Sequence, residues 1–182
     1  MFIQTQSTPN PNTLKFIPGI KLLEKDNTYH FNKNDNCDNS LLATQLFEIN
    51  GIESVFFGND FLSITKNLDT HWDDIRKFIL TILVDYFIAN LPVIKCTDSK
   101  KKINTLHSKI EEQIINLLDE KIRPAVAQDG GDIIYNKFKE GVVYLELHGA
   151  CQGCPSSTIT LKEGIENMLK HYIPEIKSVQ SI

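Results

Sequence analysis

At 182 residues the chain can hold one large domain or two small ones, each with a modest core. Hydrophobic residues make up 41% and charged residues 23%, ordinary for a globular protein, and a net charge of −4 excludes the broad basic face of a general nucleic-acid binder. The longest apolar run, Phe78 to Val84, is far too short to span a bilayer, so neither nucleic acid nor membrane is an expected partner. Four cysteines, at 37, 96, 151 and 154, do not make a disulfide framework in a chain of this size, and suit a reducing compartment. The first residues have neither a secretory signal nor an Arg-rich transit pattern. They predict a cytoplasmic protein, or an organelle-matrix protein if a targeting segment has been removed.

In chain order, Phe2–Gln6 and Thr13–Ile17 alternate as short strands around the turn-forming segment 7–12, and predict a hairpin. Tyr29 and Phe31 mark an edge strand. Ser40 caps a short helix through Glu48 that buries Leu42, Leu46, Phe47 and Ile49. Ile52–Phe57, the turn Gly58-Asn59-Asp60 and Phe61–Thr65 read as strand, tight turn and strand. A long helix over Trp72–Asn90 follows, with Ile75, Phe78, Ile79, Ile82, Leu83, Tyr86 and Phe87 as one apolar stripe. His71, Asp73 and Asp74 are first-turn groups of that helix rather than a metal site. Cys37 reads as an incidental thiol.

Residues 93–104 read as a flexible linker, with Lys100-Lys101-Lys102 as solvated charge and Cys96 as a passive thiol. The linker separates a first domain, 1–92, from a second, 105–182. The second opens with a helix from Thr105 to Ile122 that buries Leu106, Ile110, Ile114, Leu117 and Leu118; Arg123-Pro124 bends or ends it. Asp129-Gly130-Gly131-Asp132 reads as a structural turn, since two carboxylates fall far short of a calcium shell. Ile133–Phe138 and Val142–Leu147 form a hairpin. A last helix, Pro155–His171, buries Ile159, Leu161, Ile165, Met168, Leu169 and Tyr172, and a short strand near 176–179 ends the chain. The expected fold class is α+β: two small α/β sandwich domains joined by the linker, the second an α-β-β-α unit.

The chemistry concentrates at Cys151-Gln152-Gly153-Cys154-Pro155. Strand and helix patterns on either side put both thiols in a strand-to-helix turn, expected to be exposed. Pro155 fits the first helical position, and the positive helix end favours thiolate. Four chemistries compete for the pair. A disulfide oxidoreductase also uses Cys-X-X-Cys at a helix start, but too little chain follows for a thioredoxin-type fold. Structural zinc needs four ligands, and His148 is the sole further candidate nearby, more simply an ordinary hydrogen-bonding residue. Two merely structural thiols fit poorly with the intervening glycine. An iron–sulfur cluster commonly takes four thiolates, which a two-fold dimer would supply from two copies of the turn.

The stretches Ile122–Ile133, Gly149–Ser157, Thr160–Glu166 and Pro174–Ile176 resemble the C-terminal domain of NifU. Ser7–Phe16 resembles the start of the N-terminal domain of Nfu-type iron–sulfur scaffold proteins. The resemblance implies a non-enzymatic scaffold or carrier that binds a [4Fe–4S] cluster across a homodimer and passes it to apo-protein clients. Upstream cluster-assembly proteins are its implied source. Cys151 and Cys154 occupy the ligand positions; no role carries over to Cys37 or Cys96. Four thiolates serve a [2Fe–2S] centre as well, so only the resemblance favours the larger cluster.

Overall fold

The computed structural model describes residues 2–23, 27–95, 108–152 and 155–182, with the backbone alone for 155–160. The chain divides into two compact units, before and after the boundary at Asp98 and Ser99. Cys96, the lysine run and most of the expected linker lie outside the described residues.

The first unit contains β1 (Gln4–Ser7), β2 (Thr13–Ile17), β3 (Tyr29–Asn32), α1 (Leu41–Phe47), β4 (Ile52–Phe57), β5 (Leu62–Lys66) and α2 (Trp72–Ile88). Its strands form one antiparallel sheet in the order β1-β2-β5-β4-β3. The strands start and stop where turn chemistry dictates. Thr8 Oγ1 donates to the carbonyls of Asn10 and Thr13, each at 2.9 Å, and so closes the loop between β1 and β2. Ser40 caps α1 as expected, accepting from the Ala43 N–H.

Helix α2 lays Ile75, Ile79, Leu83, Tyr86 and Phe87 against Phe16, Val55, Phe57, Leu62 and Ile64 of the sheet. Phe78, assigned to the stripe by spacing, is 53% exposed, with the Lys77 ammonium over its ring. Its position falls to one side of the line through 75, 79, 83 and 86, which a 3.6-residue period makes the centre of the buried face. Leu83 is fully enclosed, so Leu83→Ala is expected to cost about 2–5 kcal/mol. The single tryptophan, Trp72, lies at the start of this helix, and its fluorescence during urea unfolding is the readout. Residues 93–95 are fastened to this unit: Val93 is buried, Ser40 Oγ donates to the Val93 carbonyl at 2.8 Å, and the Lys95 N–H donates to the Asn39 carbonyl at 2.8 Å.

The second unit contains α3 (Lys109–Leu117), a π-helical turn (Leu118–Ile122), α4 (Arg123–Gln128), β6 (Gly131–Lys139), β7 (Val142–Gly149), α5 (Pro155–Tyr172) and β8 (Ser178–Ser181). Ser108 and Glu111 form a reciprocal capping box that starts α3. Pro124 has no N–H to give to the carbonyl four residues back, and the Arg123 N–H reaches five back to Leu118. The helix is therefore widened at this point and continues to Gln128 instead of ending. The sheet order is β6-β7-β8, with β6 and β7 antiparallel and β8 parallel to β7. Glu140 and Gly141 have φ of 54° and 86°, the doubly left-handed turn that matches the twist of a tight hairpin.

The core gathers Ile114, Leu118, Val126, Ile133, Val143, Leu145, Ile165, Leu169, Ile173, Ile176 and Val179. Tyr172, expected inside, is 50% exposed and takes a hydrogen bond from Lys121 Nζ at 3.2 Å; Ile173 is buried in its place. Glu166 accepts from Lys170 Nζ and, at 2.9 Å, from the Val179 N–H, so one carboxylate ties α5 to β8. The Lys170 contact and then the Val179 N–H hold Glu166 below its ordinary carboxylate range. A carboxylate depressed in the folded state contributes stability that is complete above the unfolded value of about 4.3 and is lost as pH falls through the folded one. Acidification below that range is expected to release β8, seen as a lower protection factor of the Val179 amide, its exchange being taken relative to the intrinsic rate at each pH. Glu166→Ala should give the lower protection at neutral pH and remove the acid dependence of the protection factor.

Candidate metal centre

Strand β7 delivers the chain to Gly149, and α5 begins at Pro155. Cys151 lies in the turn between them, as the flanking patterns predict. Two backbone features set the turn. Gly149 has φ of 62°, a conformation that costs a glycine little, and the Gln152 N–H closes onto its carbonyl at 3.1 Å. The Ala150 N–H donates to the Gly130 carbonyl at 3.1 Å, which draws the turn back over the start of β6.

That return corrects the expectation of an exposed thiol. Cys151 is only 4% exposed and joins the apolar core of the second unit, whereas the next residue, Gln152, is exposed. The thiol is held against Gly131, which pairs with Gly149 across the hairpin. A Cβ at position 131 would stand 2.4 Å from Cys151 Sγ, 2.8 Å from the His148 carbonyl oxygen and 3.0 Å from the Cys151 backbone nitrogen. The Gly130-Gly131 pair thus has two separate duties: Gly130 supplies a φ of 84°, and Gly131 supplies room for sulfur. Two adjacent glycines are the sequence signal, but turn chemistry accounts for only the first.

Asp132 follows directly. Its carboxylate is nearly enclosed and accepts from Arg123 Nε at 2.8 Å and Nη2 at 2.9 Å, a planar two-point contact, and from the Ile133 N–H at 2.8 Å. Arg123 Nη1 also meets the outer carboxylate of Asp119 at 3.2 Å. The hydrogen bond to Asp132 drives the guanidinium still further above its ordinary range. Within the acidic turn, Asp132 thus has its carboxylate occupied by this arginine and by the Ile133 N–H.

Cys154 lies outside the described residues, and so do the side chains of Ser156 and Ser157. His148 has Nε2 3.5 Å from Glu146 Oε2, an ion pair only when the imidazole is protonated. Cys37 is half-buried and its thiol donates to the Asp35 carbonyl at 3.4 Å. Burial, followed by Asp35 and Asp38, raises its pKa, which leaves it a poor thiolate. Among the described residues no group of three or more His, Cys, Asp or Glu gathers as a metal shell. Chemically, the turn offers one enclosed soft donor and a second three positions on in sequence, and a four-thiolate centre needs more donors than this pair.

Comparison with known proteins bears on both units. Residues 114–180 match the family model described as a NifU-like domain, and residues 3–90 match that of the scaffold protein Nfu/NifU N terminus. The whole chain aligns with two curated proteins named "NFU1 iron-sulfur cluster scaffold homolog, mitochondrial". The one from Drosophila sechellia is 44% identical and the one from Drosophila persimilis 43%. In each case all of this chain is covered and 65% of the relative. A solution structure of a NifU-like protein from Saccharomyces cerevisiae is 30% identical, covering 54% of this chain and 87% of that one with a TM-score of 0.48. Nothing in these comparisons favours a disulfide oxidoreductase. The relatives' names overturn the expectation of a cytoplasmic protein. That expectation leaned on the residues after Met1, and a sequence spanning 65% of its relatives carries no information on targeting in where it starts.

Proposed function

The chain belongs to the family of Nfu-type, NifU-like scaffold proteins, and from that premise we propose that it is a mitochondrial carrier of iron–sulfur clusters. The cargo is a [4Fe–4S] cluster held between two copies of the chain by Cys151 and Cys154 of each. The carrier takes it from upstream assembly proteins and hands it to apo-protein clients, turns over no substrate of its own, and has neither nucleic acid nor membrane as a partner. The observation that carries this reading is the position of the Cys-X-X-Cys turn. It joins β7 to α5 inside the stretch that matches the NifU-like domain, where the β6 edge holds Cys151 in place.

The division of labour follows from ligand count. One chain offers two thiolates where a cluster commonly takes four, and a two-fold pair of turns completes the set. A cluster bound between chains can leave by ligand exchange as the chains part, with no unfolding of either core. The protein's own part is to supply two soft donors and to hold Cys151, nearly enclosed, against the β6 edge. The test is anaerobic loading with ferrous iron and sulfide, followed by mixing with an apo-[4Fe–4S] acceptor. Visible absorbance should appear on loading and pass to the acceptor, with Mössbauer spectra reporting the cluster type. A protein that binds no iron yet reduces disulfides catalytically would overturn the proposal.

A further inference from the structure

The Arg123–Asp132 pair is a part-buried two-point contact beside the turn, with the carboxylate enclosed and the guanidinium partly open, and cluster ligation as proposed above makes no use of it. Its placement shows what it acts on. Asp132 is the residue after Gly131, whose missing side chain is the space occupied by Cys151 Sγ. One residue further back, the Gly130 carbonyl receives the Ala150 N–H. The two backbone contacts that seat Cys151 therefore come from the two residues preceding Asp132. Three hydrogen bonds fix the Asp132 carboxylate, two from Arg123 and one from Ile133. Arg123 in turn sits where the π-helical turn meets α4, at the point that Pro124 forces open.

We infer that Arg123 and Asp132 are positioning residues for Cys151, their two-point contact holding Gly130-Gly131 as the seat of the thiol. The inference deepens the cluster-carrier reading and rests on it for its purpose, but not for its geometry. The widened helical turn, the guanidinium, the carboxylate and the glycine seat form one chain of contacts ending at the inner sulfur. Lysine at 123 would keep the charge and lose the fork, because an ammonium cannot present Nε and Nη2 to two oxygens at once. Asp119, on the outer side of the same arginine and half exposed, meets Nη1, which is not one of the two nitrogens of the fork.

The test uses the full chain in two states. In the apo state, Cys37→Ser, Cys96→Ser and Cys154→Ser leave Cys151 as the sole thiol, and its alkylation by iodoacetamide is timed. Arg123→Lys and Asp132→Asn are expected to speed it about tenfold, by local opening of the seat. Asp119→Asn and Tyr135→Phe should change it less than about twofold; the latter removes the 2.6 Å Tyr135–Glu111 bond elsewhere on β6. In the loaded state, with all native cysteines, Arg123→Lys should release iron to a chelator about tenfold faster and alter the visible circular dichroism of the cluster. Unchanged alkylation in Arg123→Lys, or an equal rise in Tyr135→Phe, overturns the inference. A wild-type chain that takes up no iron defeats the carrier reading instead, while the apo alkylation still decides the role of the pair.

Discussion

Gly131→Ala is expected to cost the second unit about 3 kcal/mol or more, in the upper range for overpacking, and to remove most of its capacity to take up a cluster. The added Cβ would stand 2.4 Å from Cys151 Sγ and 2.8 Å from a backbone oxygen on the paired strand. Sulfur can turn away, but the His148 carbonyl belongs to the β6–β7 hairpin and cannot move without lengthening its pairing. Either response displaces the cysteine turn. Gly164→Ala is the matched control: its Cβ meets nothing within 4 Å, and in mid-helix alanine is better than glycine by up to about 1 kcal/mol. Far-UV circular dichroism during urea unfolding should fall early for the first variant and late for the second. Trp72 fluorescence, which reports the first unit, should be unmoved in both. Equal behaviour of the two variants would remove the steric basis of the site.

The second large effect is at the thiols. Cys151→Ser and Cys154→Ser should each abolish cluster binding, whereas Cys37→Ser and Cys96→Ser should leave it intact. In a cluster shared by two chains, one substitution per chain removes half of the ligand set. Serine is a hard, protonated donor at neutral pH and does not substitute for thiolate. The cost at position 151 has a folding component as well, because the substitution exchanges a buried thiol of the second unit's core for a smaller, more strongly hydrated hydroxyl. Cys151→Ala separates the two: it should fold at least as well as the serine variant and bind no cluster. Iron per chain after anaerobic loading and desalting is the measurement. Retention of iron by either Cys151 variant would take that residue out of the ligand set.

Much of the architecture is legible in the sequence because it rests on local periodicity. The alternation of Val142–Leu147, the spacing of Ile75, Ile79 and Leu83, and Ser40 before an apolar repeat each determine an element by themselves. The place of Cys151 between a strand and a helix is equally legible, since a strand pattern ends before it and a helix pattern begins at Pro155. What escapes is set by pairing across elements. Burial of Cys151 depends on Gly131 lying opposite Gly149, a matter of hairpin register that no window of the sequence contains. Arg123 reads as the residue before a helix-bending proline. Its partnership with Asp132 needs the π-helical turn, which exists because Pro124 withholds one N–H. Ser108 and Glu111, a capping box at the start of α3, were open to reading but lie beside the polar linker composition that masks them. Phe78 and Tyr172 fit the helical spacing and still face outward, because a spacing rule fixes a stripe but not its width.

The proposal that two chains complete the site is most directly tested by composition and mass together. After anaerobic loading, iron and acid-labile sulfide are determined per chain and the native mass is taken on the same sample. The expected result is about two irons and two sulfides per chain in a dimer that reverts to lower mass when the cluster is stripped, as one four-iron cluster per pair requires. A full cluster on a monomer, or a monomer free of iron, would contradict it.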